Sequence, residues 1–229
     1  MRRVLIAAAT MLALSACSGA QPASVDPVKA LRDGANAMSQ ISSVNATLKF
    51  TKGPITFQGF TLVSARAAIE MPSDSDTVYT VKEQDISISL EVVISHGHVF
   101  LHVPFSTYRE VTGADAQALP DLARLFDRST GLPAMLPQGI KPAYVSTDQV
   151  DGHDAYQIRT SYTADQVHTL LPQLTSSAPV AARIWVDVSD HLIRRAVLEG
   201  PFADGGKVAA LEVDMSGFNA PVTISSPTP

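Results

Sequence analysis

The sequence predicts an α+β fold built on one large antiparallel sheet, with a few helices covering one of its faces. Apolar and polar residues alternate in successive segments joined by short turns, and this period of two gives way to helical spacing in three places. The chain of 229 residues, 45% of them hydrophobic, is long enough for one sizeable core. A sheet of this length must curl, so its helices would enclose either a packed core or a cavity, and periodicity leaves both open.

The first 25 residues have the pattern of an export segment rather than of a folded element. Arg2 and Arg3 precede an apolar run over residues 4–14, which has the length of a signal-peptide core and is too short to span about 30 Å of hydrocarbon. The tetrapeptide Leu14-Ser15-Ala16-Cys17 resembles the bacterial lipobox, whose cysteine is acylated while the chain is cut just before it. We expect a signal peptide at 1–16 and lipidation at Cys17; the alternative is an ordinary signal peptide with an incidental cysteine.

The lipobox implies a location on the extracytoplasmic face of the cell membrane, in the periplasm or cell wall space. Acyl chains at Cys17 would hold the protein stably in the membrane, and the small, polar residues 18–25 would form a flexible tether. Because Cys17 is the single cysteine, a disulfide framework and a multi-cysteine zinc site are excluded. Without residues 1–16 the chain carries 15 Lys and Arg against 22 Asp and Glu, a charge of −7 that argues against nucleic acid as a partner.

The folded domain is expected over residues 26–224, followed by a frayed tail at 225–229. Asp26 and Pro27 are a helix cap and a first-turn proline, and the apolar residues from 28 to 38 recur at helical spacing. The period then changes to two, with residues 72–76 expected as a solvated acidic turn between strands. We expect strands at about 43–51, 55–71, 77–83, 86–94, 99–103, 142–149, 154–161, 180–188, 192–199 and 207–215.

Two helical segments interrupt the strands. Residues 114–139 combine leucines with prolines and indicate short, kinked helices. The second segment opens with a capping-box pattern, Thr163 to Gln166, and continues with an apolar stripe to Leu174. Both segments lie between strands in the sequence, so they are available to cover the sheet.

Several motifs resemble one known family, the mycobacterial LppX/LprA/LprF/LprG lipoproteins. Residues 129–136 (STGLPAML) are similar to its Gly-Leu-x-x-Leu-Leu helix start, and residues 150–158 are similar to its Val-x-Gly hairpin. Residues 179–193 are similar to its P-x-x-V-W-I and D-x-H-L-V strand pair, whereas Phe218 stands where the family usually has tryptophan. The resemblance implies a LolA-like half-barrel with a hydrophobic cavity. It also implies carriage of multi-acylated envelope lipids, such as phosphatidylinositol mannosides, lipoarabinomannan, triacylglycerides or phthiocerol-type waxes, without a cofactor or a bond-breaking step.

Strand parity and the helical stripes then indicate which side chains line the cavity. The strands are expected to supply the inward-facing residues Leu48, Phe50, Ile88, Leu90, Val92, Ile94, Leu101, Ile158, Ile184 and Val186. The helical segments are expected to add Leu132, Met135, Leu136, Val167, Leu170 and Leu171.

Three other interpretations stay open. A lipoprotein of this type could act by protein contact, as an accessory to an exporter or a cell-wall complex, with side chains filling its interior. His96 and His98 flank the turn residue Gly97 and could meet a surface metal ion, whereas His98 and His102 would lie about 13 Å apart along a strand, too far to ligate one ion together. The alternative is that His96, His98 and His102 are partly exposed turn and strand residues. A hydrolase is disfavoured because G-x-S-x-G and H-E-x-x-H motifs are absent from the sequence.

Arg194 and Arg195 are expected to face solvent, or else to meet anionic lipid headgroups.

Overall fold

A computed structural model describes residues 25–57, 59–84 and 86–228. In this part of the chain, twelve strands form one open, curved, antiparallel sheet, accompanied by four α-helices. The strands are β1 (Ser43–Lys52), β2 (Ile55–Phe57), β3 (Phe60–Glu70), β4 (Asp74–Glu83), β5 (Ile86–Ser95), β6 (His98–His102), β7 (Arg109–Val111), β8 (Ile140–Val150), β9 (His153–Tyr162), β10 (Val180–Asp187), β11 (Ile193–Ala203) and β12 (Lys207–Ser216). The helices are α1 (Pro27–Met38), α2 (Gly113–Ala118), α3 (Leu132–Met135) and α4 (Ala164–Leu170), with 3₁₀ turns at Leu122–Phe126, Leu136–Gln138 and Asp204–Gly206.

The strand order explains why helices cover one face. Strands β3 to β7 form one meander and β8 to β12 form another, and β1 joins them by pairing with both β3 and β12. Strands β7 and β8 therefore lie at opposite edges of the sheet, although they are neighbours in the sequence. The segment between them, residues 112–139, crosses from one edge to the other. Its 3₁₀ turn Leu122–Phe126 packs against β3 and β4, and the buried residues of α3 join the same inner core.

Helix α1 packs against α3 and the 3₁₀ turn Leu136–Gln138. The Asp26 carboxylate accepts hydrogen bonds from the backbone N–H groups of Val28 and Lys29, at 2.9 and 3.2 Å, as the sequence predicts. Leu31 and Met38 are buried on the inner side of the helix. A Cβ atom at Gly34 would approach Ile193 Cδ1 to 2.9 Å, so a glycine here allows α1 to lie close to the sheet.

The register of the sheet places apolar side chains of neighbouring strands in rows on the inner face. Val213 of β12 faces Leu48 of β1, which faces Ala65 of β3, and this row continues through Tyr79 and Leu90. Most of these side chains belong to one core cluster that also includes the buried residues of α1, α3 and α4. The core thus lies between the concave face and the helices.

The structure corrects four local expectations. The stretch 55–71 is a hairpin of β2 and β3 rather than one strand, because the chain turns at Gly59 with a φ of 88°. Residues 74–76 belong to β4, with Ser75 buried, rather than to a solvated turn. Strand β7 was not expected, since three residues are too few to show a period. Helix α4 ends at Leu170 instead of 174, because Pro172 disfavours helical backbone at the residue before it.

Candidate functional site

An apolar cavity of about 240 Å³ lies between the sheet and the crossing segment. Its floor comes from β1, β3, β4 and β12, with β2 at one side. Its roof comes from the end of α2, the following 3₁₀ turn and the residues after α4. The apolar lining residues are Leu48, Phe50, Ile55, Leu62, Tyr79, Ala118, Pro120, Leu122, Leu171, Leu174 and Leu211, and the polar ones are Thr56, Asp121 and Gln173.

The Tyr79 hydroxyl is satisfied within the wall. It donates a hydrogen bond to the carbonyl oxygen of Pro120 at 2.7 Å, which also ties β4 to the crossing segment. Burial raises the pKa of Tyr79, so the phenol stays neutral. Tyr79 therefore presents a ring to the cavity without leaving an unpaired polar group there.

Asp121 brings a carboxyl group to the cavity wall. Its side chain accepts a hydrogen bond from the Ala123 N–H at 2.9 Å and caps the 3₁₀ turn Leu122–Phe126. Burial raises the pKa of Asp121 above its ordinary value, and the hydrogen bond from Ala123 only partly offsets this. The charge in the wall consequently depends on pH.

The cavity adjoins a polar surface groove of about 440 Å³, and the two share Ile55, Thr56 and Gln173. Thr56 is also bonded to Asp204, whose carboxylate accepts from the Thr56 backbone N–H at 3.3 Å and from its hydroxyl. This contact links β2 to the turn between β11 and β12. The cavity and the groove thus meet at the β2 end of the half-barrel, and this junction is called the mouth below. The remaining groove residues are Thr175, Ser176, Ser177, Pro201, Phe202, Ala203, Gly205 and Gly206.

The sixteen side chains expected to line a cavity all belong to the inner core or pack against it, and they fall into four groups. Those bordering the 240 Å³ cavity are Leu48, Phe50 and Leu171. Those bordering a separate, small apolar void are Leu132, Met135, Leu170, Ile184 and again Leu171. Those buried in packed core are Val92, Leu136, Ile158, Val167 and Val186. Those partly buried and packed against that core are Ile88, Leu90, Ile94 and Leu101.

Sequence reasoning missed most of the cavity wall. Tyr79 and Leu62 lie on strands whose inward parity could have been assigned, and Leu174 belongs to the apolar stripe that the sequence showed. No sequence pattern marks Ala118, Pro120 or Asp121 as cavity residues, because their position depends on how the crossing segment folds over the sheet.

The three histidines lie away from the cavity lining, and each faces a carboxylate. The Nδ1 atoms of His96, His98 and His102 lie 4.0 Å from Asp74, 2.7 Å from Glu110 and 3.4 Å from Glu91, respectively. Within the described ranges, no group of three or more His, Cys, Asp or Glu side chains is placed to hold a metal ion. These contacts join the β5–β6 turn to β4, and they join β6 to both β7 and β5.

The two arginines hold structural ion pairs. Arg194 is buried rather than facing solvent, with Nε 2.8 Å from Asp187 Oδ2, and it also pairs with Asp190. Arg195 pairs with Asp214 at 2.5 Å. Neither arginine lines the cavity or the groove, so the structure gives neither one a contact with a headgroup at the mouth.

Cys17 and the expected signal peptide lie outside the described residues, as does most of the tether. Among the residues that the structure describes, no helix is long and apolar enough to cross a membrane.

Comparisons with known proteins agree with the fold. LprF from Mycobacterium bovis superposes with a TM-score of 0.69 at 18% identity, over 90% of this chain and all of that one. LppX from Mycobacterium tuberculosis gives 0.62 at 16% identity, over 88% of this chain and all of that one. The lipoarabinomannan carrier protein LprG of Mycolicibacterium smegmatis is 26% identical over 111 residues, which span 47% of this chain and 45% of that relative. The model of the LppX_LprAFG lipoprotein family matches residues 26–224, and the chain therefore belongs to that family.

Proposed function

We propose that this protein binds an acylated lipid in its cavity and carries it across the cell envelope while anchored to the membrane through Cys17. The observation that carries the proposal is the apolar cavity between the curved sheet and its cover, with a mouth at the β2 end. No bond needs to be made or broken for this role.

The energetics of acyl chains explain why such a cavity is useful. Each methylene removed from water contributes roughly 0.8 kcal/mol, so a chain of about sixteen carbons in water is disfavoured by on the order of 10 kcal/mol. Leucine, isoleucine and phenylalanine side chains provide the wall that an acyl chain requires. The cavity of 240 Å³ is smaller than the about 300–1,000 Å³ of typical ligand pockets, so we expect it to take one chain.

A glycolipid is the cargo we favour. The relative LprG is named a lipoarabinomannan carrier, and the polar groove at the mouth offers hydroxyl and amide groups where a headgroup would emerge. The groove and the cavity together would receive the two chemically different parts of such a molecule.

A bulky substitution in the cavity wall tests whether the protein carries lipid there. Ala118 and Ala114 are both exposed positions of α2, but Ala118 alone of the two borders the cavity. Ala118→Trp therefore places an indole at the cavity wall, and Ala114→Trp adds the same group away from it. Native mass spectrometry of the full chain from its own host should show bound lipid in the wild type and in Ala114→Trp, and at least a tenfold loss in Ala118→Trp, with similar melting temperatures. Absence of lipid from the wild type would instead favour a role in protein contact.

Anchoring has its own test. Cys17→Ala should abolish incorporation of labelled fatty acid and leave an uncleaved precursor, while Ser18→Ala should be acylated normally. A Cys17→Ala protein that still carries a covalent lipid would refute the proposed anchor.

A further inference from the structure

A second apolar space lies beside the cavity, under the strands of the C-terminal meander. It measures about 20 Å³. Its walls come from β10, β11 and β12 on the sheet side, and from α3, α4 and the 3₁₀ turn Leu122–Phe126 on the other side. The lining residues are Leu125, Leu132, Met135, Leu170, Leu171, Ile184, Ala196, Leu198 and Val213.

Leu171 is the residue that the cavity and this void share. Its neighbours separate the two spaces: Leu170 borders only the void, and Leu174 borders only the cavity. All three leucines are buried. The Leu171 side chain therefore forms a partition between two apolar spaces.

The backbone at the partition is held on both sides. The Leu171 N–H donates to the Val167 carbonyl at 2.8 Å, and the Leu171 carbonyl accepts from the Leu174 N–H at 2.8 Å. The capping box of Thr163 and Gln166 fixes the start of the same helix. Shortening the Leu171 side chain should consequently open the partition without moving its backbone.

The void suits hydrocarbon better than water. All nine of its lining residues are apolar, so a water molecule would find no side-chain hydrogen-bond partner among them. An unfilled space of this kind also deprives its lining atoms of dispersion contacts, which a methyl or methylene group would restore.

We infer that Leu171 sets the length of the acyl chain that the cavity accepts, because it closes the route from the cavity into the void beneath β10 and β11. The inference rests on the proposed lipid binding. With the partition removed, a chain in the cavity continues sideways under the C-terminal meander. Each further methylene that becomes buried should strengthen binding about fourfold.

The test compares Leu171→Ala with Leu170→Ala and Leu174→Ala. Each full-length chain, solubilised in octyl glucoside, is mixed with equal amounts of lysophosphatidylcholines of 12 to 20 carbons, and native mass spectrometry reports which probes bind. We expect Leu171→Ala to prefer chains two to four carbons longer than the wild type does, with the ratio of longer to shorter probe rising at least tenfold. Leu170→Ala enlarges the void without joining the two spaces, so it should keep the wild-type preference. Leu174→Ala enlarges the cavity alone, so it should shift the preference less than Leu171→Ala does.

Thermal melts establish that each variant is folded. Should Leu171→Ala fail to fold, Leu171→Val removes less volume, so a smaller shift in the same direction is expected. A wild-type preference in a folded Leu171 variant, or an equal shift in Leu174→Ala, overturns the inference while leaving lipid binding intact. If the wild type binds no probe at all, the proposed function fails and the inference fails with it.

Discussion

Asp121 illustrates how a single side chain can make an apolar cavity sensitive to pH. Burial raises its pKa, so the folded state binds this proton more tightly than the unfolded state. The Asp121 contribution to stability is therefore greatest below the ordinary carboxyl pKa of about 3.9, and it is lost as pH rises through the higher value of the folded state.

Asp121→Asn should remove this dependence, since asparagine caps a helix as well as aspartate does and carries no charge. Urea denaturation should show the variant close to the wild type at pH 3 and more stable than the wild type at pH 7. If the wild type is as stable as Asp121→Asn at neutral pH, or more stable, then the ionised carboxylate does not destabilise the cavity wall.

At the scale of elements, the turn between β10 and β11 is held by a buried carboxylate. Burial opposes the ionisation of Asp187, yet hydrogen bonds from Ser189, from Arg194 and from the Asp190 backbone N–H lower its pKa to about 2. A folded-state pKa below the ordinary value contributes stability above about pH 4, and this contribution is lost as pH falls from about 4 to about 2.

Asp187→Asn should lower the free energy of unfolding at pH 7 by about 2 kcal/mol or more, because it removes the carboxylate that these hydrogen bonds stabilise and takes from the buried Arg194 one of its two acidic partners. In urea titrations, the difference in unfolding free energy between Asp187→Asn and the wild type should decrease as pH falls toward 2. Asp190→Asn is the control, since the Asp190 side chain is 41% exposed and the loss of its charge should cost less than about 1 kcal/mol. A gap that stays constant from pH 7 to pH 2 would contradict the assignment.

Pairs of residues with the same sequence signal show how far a sequence can predict this fold. Leu48 and Val92 both lie at inward positions of alternating strands, and both are buried. Leu48 borders the cavity, whereas Val92 packs in the core beside Leu101. The period of two determines the face of a strand. It does not determine which part of that face the short helices of residues 112–139 fill, since prolines rather than periodicity shape that segment.

For the whole molecule, the mouth and the start of α1 lie at opposite ends of the half-barrel. Ala203 pairs with Lys207 at the mouth end, whereas Asp26 adjoins Val188 in the turn at the far end of the same sheet. Lipid entering or leaving at the mouth would pass Thr56 and Asp204, whose contact links β2 to the turn between β11 and β12.

A reversible cross-link at that contact tests whether lipid passes this end. In the double variant Thr56→Cys and Asp204→Cys, the two new thiols replace side chains that are hydrogen-bonded to each other, and Cys17, the one native cysteine, would be acylated in the mature protein. Oxidation should slow the exchange of a fluorescent fatty acid at least tenfold, because the disulfide prevents β2 from separating from the β11–β12 turn, and dithiothreitol should restore the rate. Each single variant should exchange at the wild-type rate under both conditions. If a disulfide verified by mass spectrometry leaves exchange unchanged, lipid enters elsewhere, and the polar groove would lose its assigned place at the mouth.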